Sequence, residues 1–218
     1  MLPSKGSLHL MSTAPVAARV LVLAAANQPD VVVIGGPNGA GKTTCAFHLL
    51  PRSLQIRHYV NADLIAKGLS PFDPTLTEFD AARLMLKRIR ELSDGSDSFA
   101  FETTLASRTF ARFLQGCSSK GLRICIVFLA LESPEIAISR VQLRVQRGGH
   151  DVPEAVIRRR FARGLANFFQ IYQPIADTWV LADNTGAAPK VLATGGRGIE
   201  NVIVDSRTYR LLQSLSQP

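Results

Sequence analysis

Short apolar runs alternate along the chain with longer stretches in which apolar residues recur every three or four positions. The runs are "VVVIG" at 31–35, "RHYV" at 57–60, "SFAF" at 98–101, "LRICIVFLA" at 122–130 and "TWVLA" at 178–182. Helical periodicity fills 42–50, 76–92, 106–119, 134–146 and 154–172. A strand that is apolar throughout, rather than at every second residue, is buried on both faces. Such strands separated by helices predict an α/β fold of three layers, a parallel sheet with helices on both faces. "SDGSDS" at 93–98 reads as a turn, and "GGHDVP" at 148–153 ends one helix and opens the next, with Pro153 in its first turn. The stretch 184–208 holds glycine- and proline-containing turns and one further strand candidate, "NVIV" at 201–204. Neither a repeat nor a linker divides the chain. Residues 30–218 therefore read as one domain, and 1–29 as an N-terminal arm that is partly disordered.

The first strand runs straight into "GGPNGAGKTT" at 35–44. Residues Gly36 to Thr43 match G-x-x-x-x-G-K-[ST], the phosphate-binding loop, with a strand before it and a helix after it. Gly36, Pro37, Asn38, Gly39, Ala40 and Gly41 would form a backbone cradle of N–H groups, to which the following helix adds its N-terminal dipole. Lys42 would reach the outer phosphates, Thr43 would hold Mg²⁺ through its hydroxyl, and Thr44 continues the loop into the helix. The pattern predicts binding of a nucleoside triphosphate with Mg²⁺. It leaves open what receives the phosphate.

A GTPase or motor ATPase would add an apolar strand ending in an acid as a second metal contact. The long run at 122–130 reaches no aspartate, and Glu132 lies past its end. Acids follow other strands instead: Asp63 after "HYVNA" and Glu102 after "SFAF". In open α/β sheets ligands collect outside the carboxyl ends of the strands, so both carboxylates are expected to face the loop across a cleft. Asp63 reads either as the base that takes a proton from a substrate hydroxyl or as the cap of a helix beginning "DLIAKG". For Glu102 the competing reading is an ion pair. Seven arginines, Arg140, Arg144, Arg147, Arg158, Arg159, Arg160 and Arg163, flank "GGHDVP". Arg140, Arg144 and Arg147 share one helical face. The cluster reads as a lid, around 144–163, that closes over triphosphate and offsets its charge, or else as a solvated or RNA-binding face.

The formal net charge of +8, carried mainly by arginine, favours anionic partners. Phe161, Phe168 and Phe169 are the only aromatics near the arginines, and they read as core, so a nucleic-acid partner is the weaker reading. Three cysteines without CxxC spacing give neither a disulfide framework nor a zinc site, and a reducing cytosol is the expected compartment. No apolar run reaches the ~18–20 residues of a membrane helix. "APVAARVLVLAAA" at 14–26 is interrupted by Arg19 and is followed at once by the first strand and its loop.

"GGPNGAGKTT", "VNADLIAKGLSP", "FAFETTL" and "RVQRGGHDVPEAVIRRRFARGLANF", in this order over roughly residues 30–185, resemble the zeta-toxin family of P-loop kinases, in particular its short single-domain bacterial members. The resemblance implies an adenylate-kinase-like core and ATP-dependent phosphorylation of a sugar hydroxyl of UDP-N-acetylglucosamine. It also implies a separate antitoxin protein as partner. It makes Asp63, preceded by Asn61 in the same motif, the catalytic base. Glu102 and Thr104 become residues that hold the amino sugar, and Arg144 a lid cation; the second lid cation is expected from the arginine cluster itself, at Arg160, further along the chain from His150. The chain departs from the family pattern at Thr103, where the toxins tend to have glycine. His150 stands where they place an arginine. Arg83 stands where they carry an acid, which would turn the acceptor pocket towards a more anionic substrate.

Overall fold

The computed structural model describes residues 28–217. The N-terminal arm expected over 1–29 lies, apart from its last two residues, outside the described residues. Seven strands form one sheet among the described residues: β1 (Asp30–Gly35), β2 (His58–Val60), β3 (Phe99–Thr103), β4 (Arg123–Ala130), β5 (Thr178–Asp183), β6 (Lys190–Gly196) and β7 (Ile199–Ile203). Their order is β2-β3-β1-β4-β5-β6-β7. The first five strands are parallel; β6 and β7 add an antiparallel edge. The helices are α1 (Lys42–Arg52), α2 (Ala62–Leu69), α3 (Glu78–Ser93), α4 (Thr109–Ser119), α5 (Pro134–Gln146), α6 (Glu154–Asn167), the short α7 (Gln173–Ile175) and α8 (Ser206–Leu215).

The apolar run of β4 shows why the layers form. Ile124, Ile126 and Phe128 point into one core with Met85, Ile89, Leu114, Leu165 and Phe168 from α3, α4 and the end of α6. Cys125, Val127 and Leu129 point into the other, with Ala46, Leu49, Ala137, Val141 and Phe161 from α1, α5 and the start of α6. The sheet is thus buried on both faces, the condition that an unbroken apolar strand predicts. Phe128 stacks on Phe168 at 4.6 Å between ring centroids.

Several boundaries differ from the sequence pattern. The helix expected at 106 begins at Thr109, because residues 104–108 form a tight turn after β3. There Leu105 takes a left-handed φ of 56°, its side chain fully buried and its carbonyl accepting from the Asn167 amide at 2.8 Å. The helix expected over 154–172 widens into a π turn at Phe168–Tyr172, just before Pro174, which has no N–H to continue the ladder. β6 was not expected at all. Its sequence "KVLATGG" follows a turn and ends in two glycines, which leaves only the short run "VLAT" to mark a strand.

Gly164 of α6 lies against the turn after β3: a Cβ there would sit 2.5 Å from the Thr104 carbonyl oxygen. Alanine at this position should favour the helix by about 1 kcal/mol, yet the backbone clash should reverse the sign. Gly164→Ala is expected to destabilise the fold by about 1–3 kcal/mol. An unchanged or raised midpoint of denaturation would contradict this close packing.

Candidate active site

The loop after β1 is fixed by sterics. Gly36 has φ 141°, and a Cβ there would lie 2.3 Å from the Leu129 carbonyl oxygen. Gly41 has φ 77° and occupies the cap position of α1 with no side-chain cap, so the first-turn N–H groups of the helix stay available. The buried side-chain oxygen of Asn38 has no partner in the protein. Lys42 Nζ donates to the Pro37 carbonyl at 2.9 Å. Burial pushes the Lys42 ammonium below the usual lysine range, against the pull of Glu102 and Asp63 and with the push of Arg144 and Arg160. Those four charges converge on the lysine from β3, α2, α5 and α6.

Beside the lysine, the Thr43 hydroxyl donates to Glu102, with Oε2 at 2.9 Å and Oε1 at 3.2 Å. Tyr59 of β2 donates its O–H to Glu102 Oε2 at 2.5 Å. Burial first, and then the Glu102 charge, push the Tyr59 phenol above its ordinary range, so it stays a donor. The Asn61 amide donates to Tyr59 Oη at 3.1 Å and to Thr43 Oγ1 at 3.4 Å. Asn61 Oδ1 accepts from the backbone N–H groups of Asp63 and Leu64, at 2.7 and 3.1 Å. Asn61, 3% exposed, is therefore the N-cap of α2. The cap reading of Asp63 falls: Asp63 sits one residue inside the first turn, exposed.

Two adjoining cavities open in front of this group. The first, about 240 Å³, is lined by Thr43, Asn61, Asp63, Lys67, Glu78, Arg144 and His150 among others. The second, about 590 Å³, adds Asn38, Thr75, Leu76, Phe79, Ala82 and Arg160 and shares Asp63, Glu78 and His150 with the first. Asp63, Arg144 and Arg160 are thus brought together with Thr43. Glu102 and Thr104 are not on either wall. Glu102 stands behind Thr43, and Thr104 lies in the turn after β3, its Oγ1 accepting from Ala106 N at 3.4 Å. Arg83 is exposed on α3, one turn past Phe79, and is not among the residues lining either cavity. On the other flank, Thr44 lines a third cavity with Cys45, His48 and the loop Asn184–Pro189.

The arginines divide by contact. The Arg144 guanidinium donates to the His150 carbonyl at 2.6 Å, and its buried Nε has no partner in the protein. His150 Nε2 lies 2.7 Å from Glu78 Oε1 and so ties the α5–α6 connection to α3 across the cavity. Arg158 is spent outside, on Glu135 and Glu154, where its hydrogen bond holds the Glu135 carboxyl down to about 2. Arg140 donates to the carbonyls of Asn184 and Thr185, at 2.8 and 2.6 Å, and at 3.4 Å to that of Gly39. With Asn184 Nδ2 on the Ala40 carbonyl at 2.7 Å, it fastens the phosphate loop to the loop after β5. The His150–Glu78 tie, the Tyr59–Glu102 bond and the Arg140 clamp were not read from the sequence, because each joins positions far apart in the chain with no motif of their own.

This sheet order and loop define a P-loop kinase fold. The chain belongs to the AAA domain family, whose profile matches residues 31–170. It is 25% identical over 135 residues to an uncharacterized protein of Haemophilus influenzae, covering 62% of this chain and 94% of that one. Among solved structures, the AvrRxo1-ORF1:-ORF2 complex with ATP contains a chain of TM-score 0.72 and 16% identity, with 97% of this chain and 73% of that chain covered. A chain from the PezAT chromosomal toxin–antitoxin system of Streptococcus pneumoniae gives TM-score 0.53 at 16% identity, with 98% and 95% covered. These structural likenesses establish the shared fold. Among the described residues no helix is long and apolar enough to cross a membrane.

The desolvated lysine sets a pH dependence. A buried ammonium with a depressed pKa weighs against the folded state below that pKa, and the cost is relieved as pH rises and the group loses its proton. In the absence of nucleotide, wild-type protein should therefore gain thermal stability relative to Lys42→Met as pH is raised from 7 towards 10. A difference between the two that stays flat with pH would contradict a depressed Lys42.

Proposed function

We propose that the protein is an ATP-dependent phosphotransferase that moves the γ-phosphoryl group to a hydroxyl of a small acceptor. The acceptor implied by the zeta-toxin resemblance is UDP-N-acetylglucosamine. The observation that carries the reading is that Asp63, Arg144 and Arg160 share walls with the phosphate loop's own Thr43 and Asn38.

The residues present suit the nucleotide and its cation. The loop leaves uncapped N–H groups and a desolvated ammonium where phosphate oxygens would lie, and Thr43 offers a hydroxyl oxygen to a hard cation. ATP with Mg²⁺ supplies the activated phosphoryl group and neutralises part of its charge. The chain's own residues do the rest. The Asp63 carboxylate takes the acceptor hydroxyl's proton as that oxygen bonds to the γ-phosphorus and the bond to the departing ADP oxygen breaks. Lys42, Arg144 and Arg160 offset the negative charge on the transferred group and on ADP. The His150–Glu78 tie spans the acceptor side of the cavities. A second reading keeps the transfer and changes the acceptor to another sugar or an antibiotic, for which Leu76 and Phe79 on the second cavity would offer contact to an apolar face. The proposal includes action in the cytoplasm and restraint by a separate antitoxin protein, which the fold shared with the PezAT chain supports.

Asp63→Asn is expected to keep ATP binding and to lose transfer by ~10²–10⁴-fold. A lower melting temperature with turnover intact would reduce Asp63 to a structural role. Arg160→Ala should lower turnover with a stability change within ~0.5 kcal/mol; Arg144→Ala should lower both, since it also holds the His150 carbonyl. The acceptor is tested by offering UDP-N-acetylglucosamine in competition with unmodified sugars, aminoglycosides and RNA 5′ ends. Phosphate on the nucleotide sugar is the expected outcome, and clear transfer to another acceptor alone would overturn that substrate.

A further inference from the structure

We propose that Glu102 belongs to the cation rather than to the acceptor: with Thr43 it forms the site for a hard divalent cation bound with the nucleotide. The proposal rests on the phosphotransferase reading and revises the sugar-holding role that the resemblance implies for this residue.

Position comes first. β3 is the neighbour of β1, and Glu102 is in register with Ile34, one residue before β1 gives way to the phosphate loop. An acid at the end of a strand adjacent to the loop strand is where a second cation contact is needed. β4, the neighbour on the other side, ends in alanine.

The hydrogen bonds point the same way. Both Glu102 oxygens take the Thr43 hydroxyl. That hydroxyl proton is thereby committed to the carboxylate, and the oxygen keeps lone-pair density for a cation. Asn61 lies within 3.4 Å of the same oxygen and 3.1 Å of Tyr59 Oη, and Tyr59 in turn donates to Glu102. The carboxylate is thus held by two hydroxyl donors and is braced for one orientation. Oxygen donors of this kind, one charged and one neutral, suit Mg²⁺ or Mn²⁺, which take one or two protein oxygens and complete their shell with water and phosphate. Finally, Glu102 is absent from the walls of both acceptor cavities, whereas Asp63 lines both. One carboxylate faces the acceptor and the other faces the loop hydroxyl.

The test is Mn²⁺ affinity, read by electron paramagnetic resonance in the complex with a non-hydrolysable ATP analogue, independently of turnover. Glu102→Gln keeps the shape and removes the charge. It should weaken Mn²⁺ binding in the ternary complex about tenfold or more, while metal-free analogue binding stays close to wild type; the melting transition should fall, because the Glu102 charge also offsets that of Lys42. Glu102→Asp, which keeps the charge but withdraws it by one methylene, should fall between the two and serves as the readout if the glutamine variant does not fold. Asp63→Asn should leave Mn²⁺ affinity unchanged. Wild-type Mn²⁺ affinity in Glu102→Gln, with a raised KM for the acceptor instead, would overturn the proposal and leave the phosphotransferase reading standing. Wild-type protein that adds nothing to the analogue's own hold on Mn²⁺ would overturn both.

Discussion

A lysine ammonium turned away from water is the constraint on which the rest of the site depends. Lys42 is held against a backbone carbonyl of its own loop, where burial disfavours its charge. Such a group persists only if its surroundings are fixed and compensating charge is near. The left-handed glycines fix the loop, and Glu102 and Asp63 supply the negative charge. Arg144 and Arg160 add to the cost rather than relieving it. A cluster of three cations and two carboxylates gathered at an uncapped helix start is an arrangement waiting for a polyanion. Triphosphate would turn the repulsion among the cations into attraction, which is the electrical logic of the proposed function.

Topology delivers these groups to one place. β1, β2 and β3 run parallel and side by side, so their carboxyl ends meet: Thr43 follows the first, Asn61 and Asp63 follow the second, and Glu102 closes the third. The opposite wall comes from α5 and α6, whose connection bends back over the site and is pinned by Arg144 within itself and by His150 on α3. A His–Glu contact therefore joins the two walls. On the far flank, Arg140 couples the phosphate loop to the loop after β5, so loss of either partner would loosen both. Arginine suits that task because its planar fork reaches two carbonyls at once.

Local signals were legible in the sequence, and long-range ones were not. The phosphate loop announced itself because glycine spacing is a backbone requirement. The five parallel strands did so because burial on both faces leaves unbroken apolar runs. Asp63 could not be separated from a cap by sequence, since Asn61 and Asp63 are both good caps, and only the bonds from Asn61 to the α2 N–H groups decide between them. Seven arginines looked equivalent in the sequence. Contact separates them: Arg158 is spent on surface carboxylates, Arg140 on carbonyls, and only Arg144 and Arg160 line the cavities. Arg83 was expected from a family pattern, and its side chain lies outside the lining of both cavities. β6 escaped notice because its apolar run is short and ends in two glycines, which are poor strand formers.

The central claim, that this site moves phosphate from ATP onto a small-molecule hydroxyl, is tested most directly by labelled transfer. Purified protein is incubated with γ-labelled ATP, Mg²⁺ and a bacterial metabolite extract, and the labelled products are separated. The account predicts a saturable, alkali-stable phosphate ester on a small molecule. Label found only in ATP and inorganic phosphate, whatever the extract, would contradict it.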